Sequence, residues 1–424
     1  MTETNSILIK DTTILSDSIT KGSVLVVDNK IEEISTNLVD KDADIVINGQ
    51  NKITMPGLIN THSHVAMTLL RGVGDDQDLQ TWLNEYIWPR EAKLNEELVY
   101  AGSKLAMAEM IKTGTTFFND MYWCIDSIIK AATEMNMRFA VSATFIDIGK
   151  DTDELIKELE DTYKRVSIID SPNMIFTVAP HAIYTVSEKM LKYAGKFAKE
   201  HDLFIHTHLS ETKKEYDDCL KEHGMKPAFY LDSFGLLTEK TILAHCVWLD
   251  DDEIKLIADR GATVSHNPIS NMKLSVGKAF NYRKMKHANV QVTLGTDGCS
   301  SNNNLNMAET MKFASILQKF AYDDPTLVTA EECFKIASLN GAEAFGIKAG
   351  KIEKGYEADF LVLKSNIYDM VPGFNVYSDI VYSVGNNFVD SVFCKGKLIM
   401  EHGKIEGEDE IISQAKKISQ KFLS

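Results

Sequence analysis

Met55-Pro56-Gly57-Leu58-Ile59-Asn60-Thr61-His62-Ser63-His64 is an apolar run that ends in two histidines one residue apart. Alternate residues on a strand face the same side, so His62 and His64 project together and can hold one cation. By itself the pair reads equally well as two hydrogen-bonded core histidines, because short motifs match by chance. The rest of the chain decides between them. Gly57–Thr61 is the first of eight short apolar runs, followed by Thr115–Asp120, Phe139–Phe145, Met174–Ala179, Leu203–Thr207, Thr241–Ala244, Ala262–Ser265 and Val290–Gly295. Amphipathic patterns of helical period lie between most of them, as in Glu96–Lys112, Asp153–Val166, Glu188–Glu200 and Asp251–Asp259. Buried parallel strands read as unbroken apolar runs because both faces are covered. Eight strand–helix alternations are the count of a (β/α)8 TIM-type barrel. An open doubly wound sheet would also alternate, but no G-x-G-x-x-G follows the first strand.

Both ends of the chain have a different texture. Ile7–Ile14, Ser23–Ile34 and Ala43–Ile53 are short, rich in Val and Ile, and broken by Asp-Asn-Lys or Asn-Gly-Gln turns. The same punctuation returns in Ala358–Lys364 and in Ser391–Ile405 with its Lys395-Gly396-Lys397 turn. One composite β-sandwich domain built from residues 1–55 and 350–424 is therefore expected beside a catalytic barrel at 56–349, with two separate small caps as the alternative. Ile411, Ala415, Ile418 and Phe422 recur at helical spacing near the C-terminus. That helix is expected to pack on its own protein, with a contact in a homo-oligomer as the other use.

Composition sets outer bounds. The chain has 424 residues, 44% hydrophobic and 25% charged, the ordinary balance of a globular protein. A net charge of -16 repels phosphate backbones, so nucleic acid is not an expected partner. The six cysteines are scattered with no C-x-x-C pair, which suits reduced thiols and a cytoplasmic location. No signal-peptide pattern opens the chain and no uncharged run reaches membrane-spanning length.

Six of the 11 histidines fall at the ends of predicted strands: His62, His64, His181, His208, His245 and His266. Asn119 and Asp120 end the second run, and Asp297 the eighth. A barrel builds its active site at these C-terminal strand ends. His62, His64, His208 and Asp297 together offer three imidazoles and a carboxylate, a divalent-metal set that leaves room for water. His206, two residues before His208, shares its face and is read as a supporting or packing residue. Glu211 leaves the strand on the side of His208 and suits a proton shuttle, or else a helix N-terminal acid that complements the dipole. His245 can hold or polarise the attacking water, and Asp297 can both ligate and accept its proton. In Thr-Asp-Gly, Asp297 also fits a plain turn residue.

Met55-Pro-Gly-Leu-Ile-Asn-Thr-His-Ser-His, His206-Thr-His-Leu-Ser-Glu, Leu243-Ala-His-Cys-Val and Gly295-Thr-Asp-Gly resemble the amidohydrolase superfamily. Leu83-Asn-Glu-Tyr-Ile-Trp-Pro-Arg-Glu-Ala-Lys-Leu narrows the likeness to its deaminase and triazine-hydrolase branch, closest to S-adenosylhomocysteine/5′-methylthioadenosine deaminases. The resemblance covers essentially the whole chain. It implies metal ligands His62, His64, His208 and Asp297, and an acid/base pair Glu211 and His245. Substrate binding falls to Glu91, which would hold ribose hydroxyls, and to His181, with Glu211 and Asp297 contributing. Without the resemblance Glu91 is only one charge at the start of a helix. Relatives with two metals bridge them with a lysine at the fourth strand end; here Pro180-His181 stands there, implying one divalent ion, zinc before iron. The implied reaction is hydrolytic deamination of 5′-methylthioadenosine, S-adenosylhomocysteine or adenosine to the inosyl product and ammonia. Members that take S-adenosylhomocysteine carry arginines near the third strand, whereas Ser142-Ala-Thr-Phe-Ile-Asp has none and nearby Lys150 is unassigned.

Two rival readings stand beside this one. The first is a triazine chlorohydrolase, or a deaminase of guanine or oxidised purines, on the same scaffold. Glu91 counts against it, since a free base has no ribose hydroxyls. The second is a metal-free scaffold protein, which would not need a complete ligand set.

Overall fold

Two sheets hold the strands. The structure, a computed structural model, describes residues 5–38 and 41–423, with side chains described through residue 420. In the larger sheet eight strand positions run in chain order and in parallel: Leu58–His64, Thr115–Asp120, Arg138–Phe145, Met174–Pro180, Phe204–Leu209, Thr241–His245, Thr263–His266, and last Val292–Leu294 with Asp297–Gly298. The eighth strand is broken in two. Val292–Leu294 pairs with the seventh strand, while Asp297–Gly298 pairs with Ser63 and His64 of the first. Because the two fragments are separated only by Gly295 and Thr296, the sheet closes on itself as a barrel. Gly295 is required at the break: a Cβ there would lie 2.4 Å from Asn267 Oδ1 and 2.8 Å from the His62 Cβ. Glu96–Lys112 and Glu188–Glu200 are helices over the very residues expected, and Thr152–Val166 and Asp251–Arg260 differ by one residue at one end.

The second sheet joins both ends of the chain. Its order runs Lys397–Met400, Val389–Cys394, Phe360–Lys364, Lys52–Pro56, Ser6–Leu15, Ile19–Val27 and Lys30–Ser35, with Ile45–Asn48 alongside Ser6–Leu15. Phe360–Lys364 pairs antiparallel with Lys52–Pro56 over five residues, so the termini share one hydrogen-bonded ladder and are not two caps. The sheet curls until Lys30 bridges Glu357, enclosing Ile7, Ile9, Val24, Val26, Phe360 and Phe393. Its other face, with Met55, Leu361, Val389 and Val392, joins the main core.

Charged groups fasten this sheet to the bottom of the barrel. Arg138, at the start of the third strand, reaches Asp359 at 2.9 Å and Glu357 at 3.0 Å, all largely buried. The remaining Asp359 oxygen accepts the Lys395 amide. The C-terminal helix Glu408–Leu423 buries Ile411, Ala415 and Ile418 and lies against Glu96–Lys112, on its own protein as expected; the Phe422 side chain lies outside the described residues. Among the described residues no helix is long and apolar enough to cross a membrane.

Candidate active site

The strand ends bring His62, His64, His208, His245 and Asp297 together. Ligand atoms of His62, His64 and Asp297 lie within 4.8 Å of one another, and so do those of His62, His208 and His245. Asp297 Oδ1 stands 3.3 Å from His62 Nε2 and 3.2 Å from His64 Nε2. The alternation read from the first strand is thus realised: both imidazoles turn the same nitrogen to one carboxylate oxygen.

Each ring is fixed from behind. His64 Nδ1 bonds the Met121 carbonyl at 2.7 Å, and His208 Nδ1 bonds the His181 carbonyl at 2.7 Å. A carbonyl can only accept, so Nδ1 carries a proton in both rings and Nε2 is the nitrogen left to face a metal. His62 Nδ1 contacts His206 Nε2 at 2.8 Å, which gives His206 the supporting place its alternation suggested. Ser270 and Ser301 hydroxyls donate to Asp297 Oδ2 at 2.6 and 2.9 Å, aiming Oδ1 into the cluster.

The electrostatics suit a cation. Burial would raise the Asp297 carboxyl, but hydrogen bonds and charge from His62 and His64 hold it well below the usual carboxylate range. Burial would lower His64, yet Asp297 lifts it to about 9, so the carboxylate draws positive charge onto its neighbour. His62 goes the other way, to about 4, chiefly by burial. A buried carboxylate that draws positive charge, beside the neutral imidazoles of His62 and His208, fits a divalent ion of zinc or iron type, which would take the place of the proton on His64.

Glu211 and His245, expected as acid and base, and Glu91 and His181, expected as substrate contacts, line the same cavity. Glu211 Oε1 lies 3.7 Å from His245 Nδ1, and burial pushes its carboxyl upward, which favours a bound proton. Glu215 grips the Ser210 and Glu211 amides at 2.8 and 2.9 Å and so fixes the turn that carries Glu211. Asn271 Oδ1 bonds His245 Nδ1 at 2.8 Å. Ser210, His245, Cys246 and Asp297 all have positive φ (51°, 72°, 53° and 62°), backbone strain concentrated where the strands end. Glu211 stands before the helix Lys213–His223, two residues short of it, and Thr212 takes the cap position.

Glu91 comes from a roof built by Leu79–Thr81, Trp82–Ile87 and Trp88–Glu91, the middle piece wound as a π-helix. It ends a short helix, where the charge alone suggested a helix start, because the bulge and Pro89 set a new register. His181 lines the cavity, with Nδ1 on the Thr185 hydroxyl at 2.9 Å and its imidazole driven to about 3 by burial. The apolar walls are Leu79, Trp82, Leu83, Trp88, Trp123 and Leu274, and no Lys or Arg is among the described residues that line it. Lys150 is not among them either. Ser270, Ser301, Glu215, Asn271 and Tyr122, which bonds Glu91 at 2.7 Å, carried no signal in the sequence. Only the stretch Asn267-Pro-Ile-Ser-Asn271, which opens on the asparagine at the end of the seventh strand, marks the place of two of them, Ser270 and Asn271.

The model of the amidohydrolase family matches residues 53–399. The chain is 49% identical to a 5′-deoxyadenosine deaminase of Methanosphaera stadtmanae over the full length of both. It is 45% identical to 5-methylthioadenosine/S-adenosylhomocysteine deaminase 1 of Archaeoglobus fulgidus, covering 98% of this chain and 99% of the other. Among solved structures, an adenosine deaminase from Xanthomonas campestris with bound zinc superposes with a TM-score of 0.92 at 31% identity, over 99% of this chain and 98% of that one.

Proposed function

The chain belongs to the amidohydrolase family, and from that premise we propose that it is a metal-dependent hydrolytic deaminase of adenosine-type nucleosides. It is a hydrolase that acts on C–N bonds and takes a small-molecule nucleoside. The observation that carries this reading is one cavity shared by the ligand cluster, the Glu211–His245 pair and Glu91. Residues 56–349 form the catalytic barrel in this proposal, and 1–55 with 350–424 the composite β domain. The six cysteines, all free, fit a reducing compartment such as the cytoplasm.

His62, His64, His208 and Asp297 would hold one divalent ion, zinc by preference for imidazole and carboxylate donors, with iron the second choice. The ion supplies Lewis acidity that makes water a nucleophile near neutral pH. His245 holds the attacking water over C6 of the adenine ring. Asp297 accepts the proton that the water loses as its oxygen bonds to C6. Glu211, kept protonated by its burial, gives its proton to ring nitrogen. As C6–N6 breaks, the amine takes the proton held by Asp297 and leaves as ammonia, the C6 hydroxyl returns a proton to Glu211, and the inosyl product remains. Glu91 anchors the ribose hydroxyls and His181 the ring face.

The walls bear on the 5′ substituent. An apolar cavity without Lys or Arg accepts a methyl or methylthio end, whereas a homocysteinyl carboxylate would be desolvated without a partner. We therefore place 5′-deoxyadenosine and 5′-methylthioadenosine ahead of S-adenosylhomocysteine. The test is ammonia release by metal-loaded protein from these three nucleosides, adenosine and guanine. Ammonia from the first two, and none from guanine, is the expected result. No ammonia from any adenosine-type nucleoside overturns the deaminase reading. Chelation followed by return of zinc or iron tests the metal.

A further inference from the structure

Residues Met121, Tyr122 and Trp123 leave the second barrel strand at the rim of the cavity, and each touches a different part of it. The Met121 carbonyl orients His64. Trp123 lines the wall, its ring 5.1 Å from that of Tyr122. Tyr122, only 1% exposed, donates its hydroxyl to Glu91 Oε1 at 2.7 Å, its one side-chain hydrogen bond among the described residues. Were Tyr122 there only to fill volume, phenylalanine would serve without burying a hydroxyl, which costs free energy unless it is partnered.

The type of donor matters. An arginine would take both Glu91 oxygens in a fork and cancel the charge. A phenol takes one oxygen, leaves the charge in place and leaves Oε2 free. Among the described residues no Lys or Arg acts on Glu91. Burial lifts the phenol well above its ordinary value, so it remains a donor throughout the working pH range. The carboxylate is thus aimed by a neutral group tied to the same strand end that aims His64.

We propose that Tyr122 is a positioning residue that makes the site read ribose: its hydroxyl holds Glu91 so that Oε2 accepts from the 2′ and 3′ hydroxyls of the nucleoside. This rests on the assignment of Glu91 to the ribose under the proposed function. It extends that assignment to specificity, because the strand end then sets the discrimination between ribosyl and deoxyribosyl substrates.

The experiment compares wild type, Tyr122→Phe and Glu91→Gln on 5′-deoxyadenosine and on its 2′,3′-dideoxy analogue, with metal content and the Kd of the product 5′-deoxyinosine measured alongside. Loss of one hydrogen bond to a charged acceptor is expected to raise KM for 5′-deoxyadenosine roughly tenfold in Tyr122→Phe, with kcat within about twofold. KM for the dideoxy analogue should not move, and the Kd for 5′-deoxyinosine should rise with KM. Equal changes for both substrates, a fall in kcat at constant KM, or loss of metal would show Tyr122 acting through His64 or through packing, and overturn the proposal. A rise in KM in Glu91→Gln alone would overturn it while sparing the ribose assignment. Should Glu91→Gln leave the ribosyl KM unchanged, both fall together.

Discussion

The two ends of the barrel bury charge in opposite ways. At the bottom, Arg138, Asp359 and Glu357 meet across the boundary with the terminal sheet, Asn29 joins Arg138 on Glu357 Oε2, and the Lys395 amide satisfies the second Asp359 oxygen. At the top, Asp120 Oδ2, His206 Nδ1, both His266 nitrogens and Asn271 Nδ2 are buried without a hydrogen-bond partner among the described residues. Matched charge holds parts together. Orphaned polar atoms cost free energy unless something else, a metal, water or substrate, completes them. The contrast separates stability from function more sharply than burial does, since both ends are equally closed to solvent.

The largest expected effect tests the top. Glu211→Gln removes the proton that the ring nitrogen receives but keeps the volume and the Glu215 grip on the Glu211 amide. We expect kcat to fall about 10³-fold, equivalent to roughly 4 kcal/mol, with metal content and urea midpoint unchanged. Loss of metal along with activity would place Glu211 among the supports of the cluster.

Next comes the bottom. Arg138→Met removes one charge and leaves two buried carboxylates without their cation, which should cost about 3 kcal/mol in urea unfolding. Turnover of the protein that remains folded should stay at the wild-type level, because no part of this network reaches the cavity. A fall in kcat in the folded fraction would mean that the two ends are coupled.

How much of this was readable in the sequence follows the same division. Strand ends were legible because a buried parallel strand is apolar until it reaches the site, so His62, His208, His245 and Asp297 stand out where the pattern stops. Local period also gave Glu96–Lys112 and Glu188–Glu200. Partnerships across the chain were not legible. Nothing local to Arg138 points to Asp359, and nothing local to Tyr122 points to Glu91, because pairing depends on closure of the barrel. The π-helix at Trp82–Ile87 escaped for a related reason: its extra residue shifts the face presented by Glu91, and no residue type marks it. The broken eighth strand was legible only as one run, since the role of Gly295 is close approach to Asn267 and His62.

The smallest expected effect uses pH to compare matched and unmatched carboxylates. Burial raises Glu253 to about 7, although the Ala228 and Asp250 amides donate to it. Its folded value lies above its unfolded one, so the folded state binds the extra proton between about pH 4.5 and 7. Stability from this group is complete below that window, falls as pH rises through it, and is level above. Asp390 has the opposite sign. Burial would raise it, but Lys52 at 2.8 Å and the Ser391 hydroxyl hold it below the ordinary value, so its contribution is present near neutrality and lost as pH falls through the acid range. Urea unfolding from pH 2 to 8 should therefore show a decline that Glu253→Gln makes shallower, the rest coming from Glu215 and Asp120, which burial also raises to about 7, and an acid limb that Asp390→Asn reduces. If the slope between pH 4.5 and 7 is the same in Glu253→Gln as in wild type, Glu253 contributes nothing to it and two amide donors suffice to keep that buried carboxylate charged. Lack of a cation would then not be what distinguishes the top of the barrel from the bottom.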